Sequence, residues 1–184
     1  MMKHLEKISK NNAKSESLVL LEQVQEKYCF IPNLMSTFAN SPVTLKAYLA
    51  LADLMGKTSF TSEEQQAILL ATSVENNCEY CVAAHSMIAL KMAGMKSETL
   101  ESILKGSKIS NSKIDALVKF TRGVVKSRGF VDDLLVKEFL AAGYGQQQIL
   151  EVVLGVAMKT LSNYTNHLAE TEIDVPFKEF SWIK

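Results

Sequence analysis

The sequence predicts an all-helical fold. Apolar residues recur at threes and fours along most of the chain, and the 184 residues include only three prolines and eight glycines. Capping residues stand at several of the boundaries this periodicity implies. A first helix is expected from about Glu16 to Tyr28, with Leu18, Leu21, Val24 and Gln25 on one side. Phe30-Ile31-Pro32-Asn33 breaks it, and a short helix from Leu34 to Ala39 follows. Ser41-Pro42 opens the next, because proline suits a first helical turn, and that helix ends near Gly56. Thr61 and Ser62, followed by Glu64 and Gln65, have the spacing of a capping box. The helix they open runs to about Glu75 and carries Ile68, Leu69, Leu70 and Val74. Asn76-Asn77 ends it and caps a helix expected from Cys78 to Ala93, where Gly94 stops the chain. Further helices are expected at 97–105, 111–128, 132–142 and 146–169, with Ser97-Glu98 and Asp132-Asp133 in first turns, where they suit the helix dipole. Ala93-Gly94-Met95 echoes Ala142-Gly143-Tyr144, a faint sign of two related hairpins.

The length suits one compact domain over residues 1–184. The composition, 47% hydrophobic and 22% charged, is that of a soluble globular protein. Twenty basic residues balance twenty acidic ones without a basic block, so a nucleic-acid partner is not expected. No apolar run approaches a membrane span, and the polar stretch MMKHLEKISKNNAKSES lacks the apolar core of a signal peptide. A cytoplasmic location follows as the expectation. There thiols are kept reduced, and a CxxC points to redox or metal chemistry before a permanent disulfide.

The chemistry gathers in NNCEYCVAAHS, residues 76–86, which holds two of the three cysteines and one of the three histidines. On one helix Cys78, Cys81 and His85 share a face, being three and then four residues apart. Neighbours at that spacing lie within disulfide reach. Cys78 near the positive end of the helix favours a thiolate, and His85 stands one turn from Cys81, placed to take its proton or to hold the thiolate as an ion pair. Spacing alone leaves open which cysteine attacks. A zinc ion is disfavoured: Cys78 and His85 are separated by about 10 Å of helical rise, so further ligands would have to come from His167, His4 or Cys29. A bound haem fits worse, since its histidine should follow the second cysteine directly. Plain core packing explains two small residues but not the added histidine. Cys29, beside Tyr28 and Phe30, reads as a small buried hydrophobe.

CxxCxxxH after a helix ending in ENN, followed by AAHS and a later AG, resembles the carboxymuconolactone decarboxylase superfamily, in particular its alkyl hydroperoxidase D-like (AhpD-like) branch. The core of the likeness is about residues 60–105. FIPNLMSTFANSPVTLKAY and NYTNHLAETEIDVP extend it over most of the chain. The resemblance implies an AhpD-like all-α domain with a CxxC-bearing helix, assembled as a homotrimer or hexamer. It implies a thiol peroxidase acting on alkyl hydroperoxide or hydrogen peroxide. Cys81 would attack the peroxide, Cys78 would resolve the sulfenic acid as a disulfide, and His85 would relay the proton. No metal or organic cofactor is implied. Electrons would come from a dithiol donor, a lipoyl or thioredoxin-like protein.

One position departs from the family pattern. The relay glutamate expected twelve residues before the first cysteine is Gln66 here, which can hydrogen-bond but cannot take a proton as a carboxylate does. Glu75 is the nearest candidate auxiliary base, with Glu64 a poorer one. Tyr80 and His167 are candidate pocket residues, each with packing as its alternative. For His167 a buried, hydrogen-bonded core position is the alternative. Two rival functions stay open: a protein or small-molecule disulfide reductase with little peroxidase activity, and a non-catalytic helical module whose oligomerisation the cysteine pair switches. Sulfurs sealed from solvent in every subunit arrangement would weigh against peroxide chemistry.

Overall fold

The computed structural model describes residues 5–182. Among them there are nine α-helices and no strand. Helix α1 (Ser15–Tyr28) buries Ser17, Leu21 and Val24. It ends where Cys29 turns left-handed at φ 65°. That leaves the Cys29 thiol exposed and not in the core, because the residue past a helix end points away from the packed face. Helix α2 (Asn33–Phe38) starts after Pro32. Helix α3 (Pro42–Met55) is capped by Ser41, whose side chain accepts from the Thr44 amide.

Helix α4 (Ser62–Glu75) opens on the expected capping box between Thr61 and Glu64. Every residue from Ala67 to Ser73 is buried, the signature of a helix surrounded on all sides. Helices α5 (Glu79–Lys91), α6 (Ser97–Lys105), α7 (Ser112–Ser127) and α9 (Gln146–Ala169) pack around it, and α8 (Asp133–Ala141) packs on α7. A 3-10 helix, Val175–Phe180, which sequence periodicity does not signal, lies against α5. The buried apolar residues form one contiguous cluster. No helix among the described residues is long and apolar enough to cross a membrane.

Two local features set the site. The first is the approach of α9 to α4 at Gly155, where an added Cβ would stand 2.7 Å from Ile68 Cγ2. Only a residue without a side chain allows this crossing, which brings one face of α9 over the end of α4. The second is the junction of α4 and α5. Asn77 adopts φ 56°, the Cys78 amide donates to Ser73 O at 2.9 Å, and the Asn77 amide donates to Val74 O at 3.0 Å. These paired bonds form a Schellman motif, with asparagine in the left-handed position glycine usually takes. Cys78 therefore closes α4 and serves as N-cap of α5. It precedes the helix, and α5 stops at Lys91, two residues before Ala93.

Candidate active site

With Cys78 as N-cap, Cys81 occupies the third position of α5, inside its first turn, where the helix dipole favours an anion. The dipole thus favours a Cys81 thiolate as well, beyond the Cys78 expected from spacing. Both cysteines are 1% exposed and neither forms a disulfide. Asn166 of α9 donates through Nδ2 to Cys81 Sγ at 3.2 Å and to Cys78 Sγ at 3.7 Å. Ser162 Oγ lies 3.7 Å from Cys81 Sγ. The buried Lys159 ammonium and the neighbouring Cys78 thiol also act on the Cys81 sulfur.

These donors divide the two thiols. Burial alone would push the Cys81 thiol up, but the neighbouring Cys78 thiol, the charge of Lys159 and the nearby Ser162 hydroxyl outweigh it. Together they hold Cys81 well below the ordinary thiol range. Cys78 moves the opposite way, raised first by its hydrogen bond to Cys81, then by burial and by the Cys81 charge. These directions favour one thiolate beside one thiol, with the ion on Cys81.

Lys159 is the residue that sequence reading missed. It is 1% exposed, and its Nζ stands 3.0 Å from His85 Nε2. Across the ring, His85 Nδ1 is 2.9 Å from Gln66 Oε1. An ammonium has donors only, so His85 Nε2 accepts, Nδ1 carries the proton, and Gln66 receives it through its carbonyl oxygen. His85 is therefore neutral, held well below its ordinary range by burial and then by the Lys159 charge. Gln66, Lys159 and Cys81 are thus linked, with His85 between Gln66 and the lysine. A signal for Lys159 did exist: Val152, Gly155, Lys159, Ser162 and Asn166 recur at threes and fours as the buried stripe of α9.

The same stripe corrects the reading of His167. One residue past Asn166, it is rotated off the buried face and is exposed, stacked beside Tyr164 with ring centres 6.4 Å apart. It neither approaches the cysteines nor enters the core. From the same segment Asn163 does the inward work, accepting from Asn76 Nδ2 at 3.0 Å and bracing the α4–α5 turn. Glu75 faces α7, paired with Arg122 at 3.2 Å and Lys126 at 3.4 Å, so its carboxylate is engaged away from the thiols. Glu64 is committed to the capping box, Tyr144 and Lys113. Tyr80 is buried, and its hydroxyl donates to Asp174 Oδ2 at 2.6 Å while accepting weakly from the Leu34 amide at 3.4 Å. It pins the C-terminal segment over the start of α5. Among the described residues no group of three or more His, Cys, Asp and Glu side chains is placed to hold a metal ion. His4 lies outside the described residues.

Fold and site define a class: an all-helical protein with a buried dithiol at the start of a helix. Residues 42–110 match the model of the carboxymuconolactone decarboxylase family, in agreement with the resemblance carried by CxxCxxxH. Curated proteins give no match. Among solved structures, the alkylhydroperoxidase AhpD core, peroxidase-related protein of Ralstonia eutropha JMP134 is similar, with TM-score 0.81 and 22% identity over 94% of this chain and 92% of that one. A peroxidase-related protein from Silicibacter sp. TM1040 superposes with TM-score 0.79 at 16% identity, over 95% and 92%. The debrominase Bmp8, in complex with 2,3,4-tribromopyrrole, gives TM-score 0.82 at 16% identity, over 98% and 96%. At these identities the likeness is one of fold, and the fold carries more than one chemistry.

Proposed function

We propose that this chain is a single-domain, cytoplasmic thiol-dependent oxidoreductase that reduces hydrogen peroxide or a small alkyl hydroperoxide through the Cys78–Cys81 pair. The observation that carries this reading is the setting of Cys81, in the first turn of α5 with Asn166 Nδ2 3.2 Å from its sulfur and Cys78 beside it. Cys81 is held as thiolate by Lys159 and Asn166, while Cys78 stays a protonated neighbour. The Cys81 sulfur attacks the terminal peroxide oxygen, forming an S–O bond as the O–O bond breaks, and the alkoxide leaves as alcohol once it gains a proton. Cys78 then attacks the sulfenic sulfur, a disulfide forms, and the hydroxyl departs as water. A dithiol donor of lipoyl or thioredoxin type returns the two electrons by disulfide exchange. His85 belongs to the proton path, linked to the thiolate through Lys159. Assembly as a trimer or hexamer is part of the same proposal.

With both sulfurs 1% exposed, the cover over them must open before any substrate reaches Cys81, and a small peroxide needs a smaller opening than a protein disulfide, whose own sulfur must be brought into line with the attacking thiolate. The decisive experiment assays hydrogen peroxide, a bulky alkyl hydroperoxide and a protein disulfide side by side with dithiol donors. Cys81→Ser should abolish peroxide consumption. Cys78→Ser should permit the first turnover and then stall at the sulfenic acid. Peroxide left unconsumed by the wild-type protein with every dithiol donor would overturn the peroxidase reading.

A further inference from the structure

Lys159 poses an electrostatic problem that the dithiol answers. A lone ammonium inside a protein is costly unless an anion or a full set of acceptors meets it. None of the ion pairs among the described residues involves Lys159. The ionisable groups acting on it are Cys81 and Cys78 at the start of α5 and Tyr48 of α3. Its Nζ stands 3.0 Å from His85 Nε2, and Ser162 and Asn166, further along the same buried face of α9, both reach the Cys81 sulfur. Tyr48 is buried and its phenol is pushed up by that burial, so it stays neutral. His85 is neutral and Cys78 keeps its proton. One anion remains, the Cys81 sulfur.

We infer that Lys159 is a catalytic residue of this site: its ammonium balances the Cys81 thiolate and gives up its proton when the disulfide forms, so the buried site stays electroneutral through the cycle. The inference rests on the dithiol reading above and extends it to the proton balance. In the reduced site Cys81 carries one negative charge, Lys159 one positive, and Cys78 its proton. Oxidation removes the thiolate charge together with the Cys78 proton. A lysine that kept its proton would then be a bare buried cation. If it releases that proton, the peroxide yields one alcohol and one water, with three hydrogens entering (from ROOH, Cys78 and Lys159) and three leaving. Two electrons pass from the two sulfurs to the O–O bond. The incoming dithiol donor restores both protons, one to Cys78 and one to Lys159. His85 Nε2, the acceptor facing the lysine, is where the released proton first passes, and the ring is neutral again at rest.

The test needs no peroxide. The dithiol is equilibrated with reduced and oxidised glutathione at several values of pH below the glutathione thiol range. If Lys159 and Cys78 each supply one proton, both glutathione thiols are protonated from within the site, and the equilibrium constant is flat with pH. If Lys159 retains its proton, one proton is drawn from solvent and the constant changes about tenfold per pH unit. That slope would overturn the inference. Two variants separate the roles. Lys159→Met should lift the thiolate absorbance titration of Cys81 by more than one pH unit. Lys159→Arg keeps a permanent charge, so it should retain the low titration while shifting the glutathione equilibrium at least tenfold toward the dithiol. An unmoved titration in Lys159→Met, or a wild-type equilibrium in Lys159→Arg, refutes the assignment. Absence of peroxide turnover with these results intact would strike the proposed substrate and leave the lysine in place.

Discussion

Gln66 Oε1 accepts the proton of His85 Nδ1 at 2.9 Å, so a neutral amide fills the position from which a carboxylate would act on the ring. The bond fixes the tautomer without adding charge. With Lys159 on the opposite nitrogen, the histidine is caught between an acceptor and a cation, and its neutrality follows from burial and from the Lys159 charge.

Restoring a carboxylate at that position should make the histidine titrate. A negative charge within hydrogen-bonding distance typically moves a pKa by about 1–3 units. Gln66→Glu should therefore raise His85 toward or beyond its ordinary value. Proton NMR of the imidazole resonances reads this directly: His85 is silent near neutral pH in the parent and titrates in Gln66→Glu. Gln66→Leu tests the other half of the bond. It leaves a buried N–H unsatisfied and should destabilise the fold by about 1–3 kcal/mol.

The thiol split sets how stability varies with pH. Cys81 has a folded pKa well below its ordinary thiol value, so its contribution is fully present above the unfolded value of about 8.5 and fades as pH falls through the folded one. His85 is also held below its ordinary value. As pH drops below about 6.5 the unfolded chain takes up a proton that the folded chain refuses, and stability falls further. Cys78 is raised, so its contribution is lost as pH rises above about 8.5. The urea midpoint of the reduced protein should therefore climb from acid to mildly alkaline pH and then turn over. Cys81→Ser should flatten the upper part of the climb and His85→Gln the lower. A midpoint that is level between acid and neutral pH in the parent would contradict the assignment of His85 as neutral.

Much of this architecture was legible in the residue pattern, for reasons that are local. Capping at Ser41 and Thr61 and the stop at Asn76-Asn77 are decided within a few residues, so these helix starts and the end of α4 could be read directly, whereas Cys78 as the N-cap of α5 could not. The CxxCxxxH spacing likewise placed Cys78, Cys81 and His85 together. Tertiary geometry decided the rest. Whether Glu75 faces the thiols or α7 depends on how α4 is rotated in its surrounding helices, and Arg122 lies 47 residues away on another element. Lys159 and His167 both lie in α9, and only the buried register of that helix tells that the lysine points inward and the histidine outward. A lysine in an apolar stripe was the available clue.

That register depends on a close approach, which Gly155→Ala probes. The new methyl would meet Ile68 Cγ2 at 2.7 Å and Met55 Sδ at 3.4 Å. Alanine improves helix propensity by up to about 1 kcal/mol, while forcing a methyl into a packed core costs about 1–3 kcal/mol, so the clash should win. The strain is transmitted usefully. Lys159 is one turn further along the same face of α9, and Gln66 is two residues before Ile68 on α4. Gly155→Ala should lower the melting midpoint and, in the protein that remains folded, shift the thiolate titration of Cys81 upward. Gly123→Ala is the control, since its Cβ also meets a close neighbour, Leu135 Cδ1 at 2.9 Å, but in the α7–α8 contact. It should cost stability with the thiolate titration unmoved.

The last prediction concerns access to the sulfurs. Asp174 ties the C-terminal segment to two elements at once, accepting from Tyr80 Oη at 2.6 Å and from the Asn33 amide at 3.1 Å. Phe177 adds an edge-on contact to the Tyr80 ring, with centroids 6.2 Å apart, and a second to Phe30 at 6.0 Å. Tyr80 directly precedes Cys81, so releasing its phenol loosens the cover beside the nucleophile while leaving every donor to the thiolate intact. Tyr80→Phe removes the hydrogen bond to a partly exposed carboxylate and the weak one from the Leu34 amide, together worth about 1–2 kcal/mol, and should lower the melting midpoint by roughly 3–6 °C. Its ring keeps the Phe177 contact, so the segment is weakened but not detached. Alkylation of Cys81 by iodoacetamide should accelerate several-fold, with the pH dependence of the rate unchanged because the thiolate itself is undisturbed. Asp174→Asn should act in the same direction through the same bond. Alkylation rates equal to wild type in both variants would mean that the sulfurs are reached by another route.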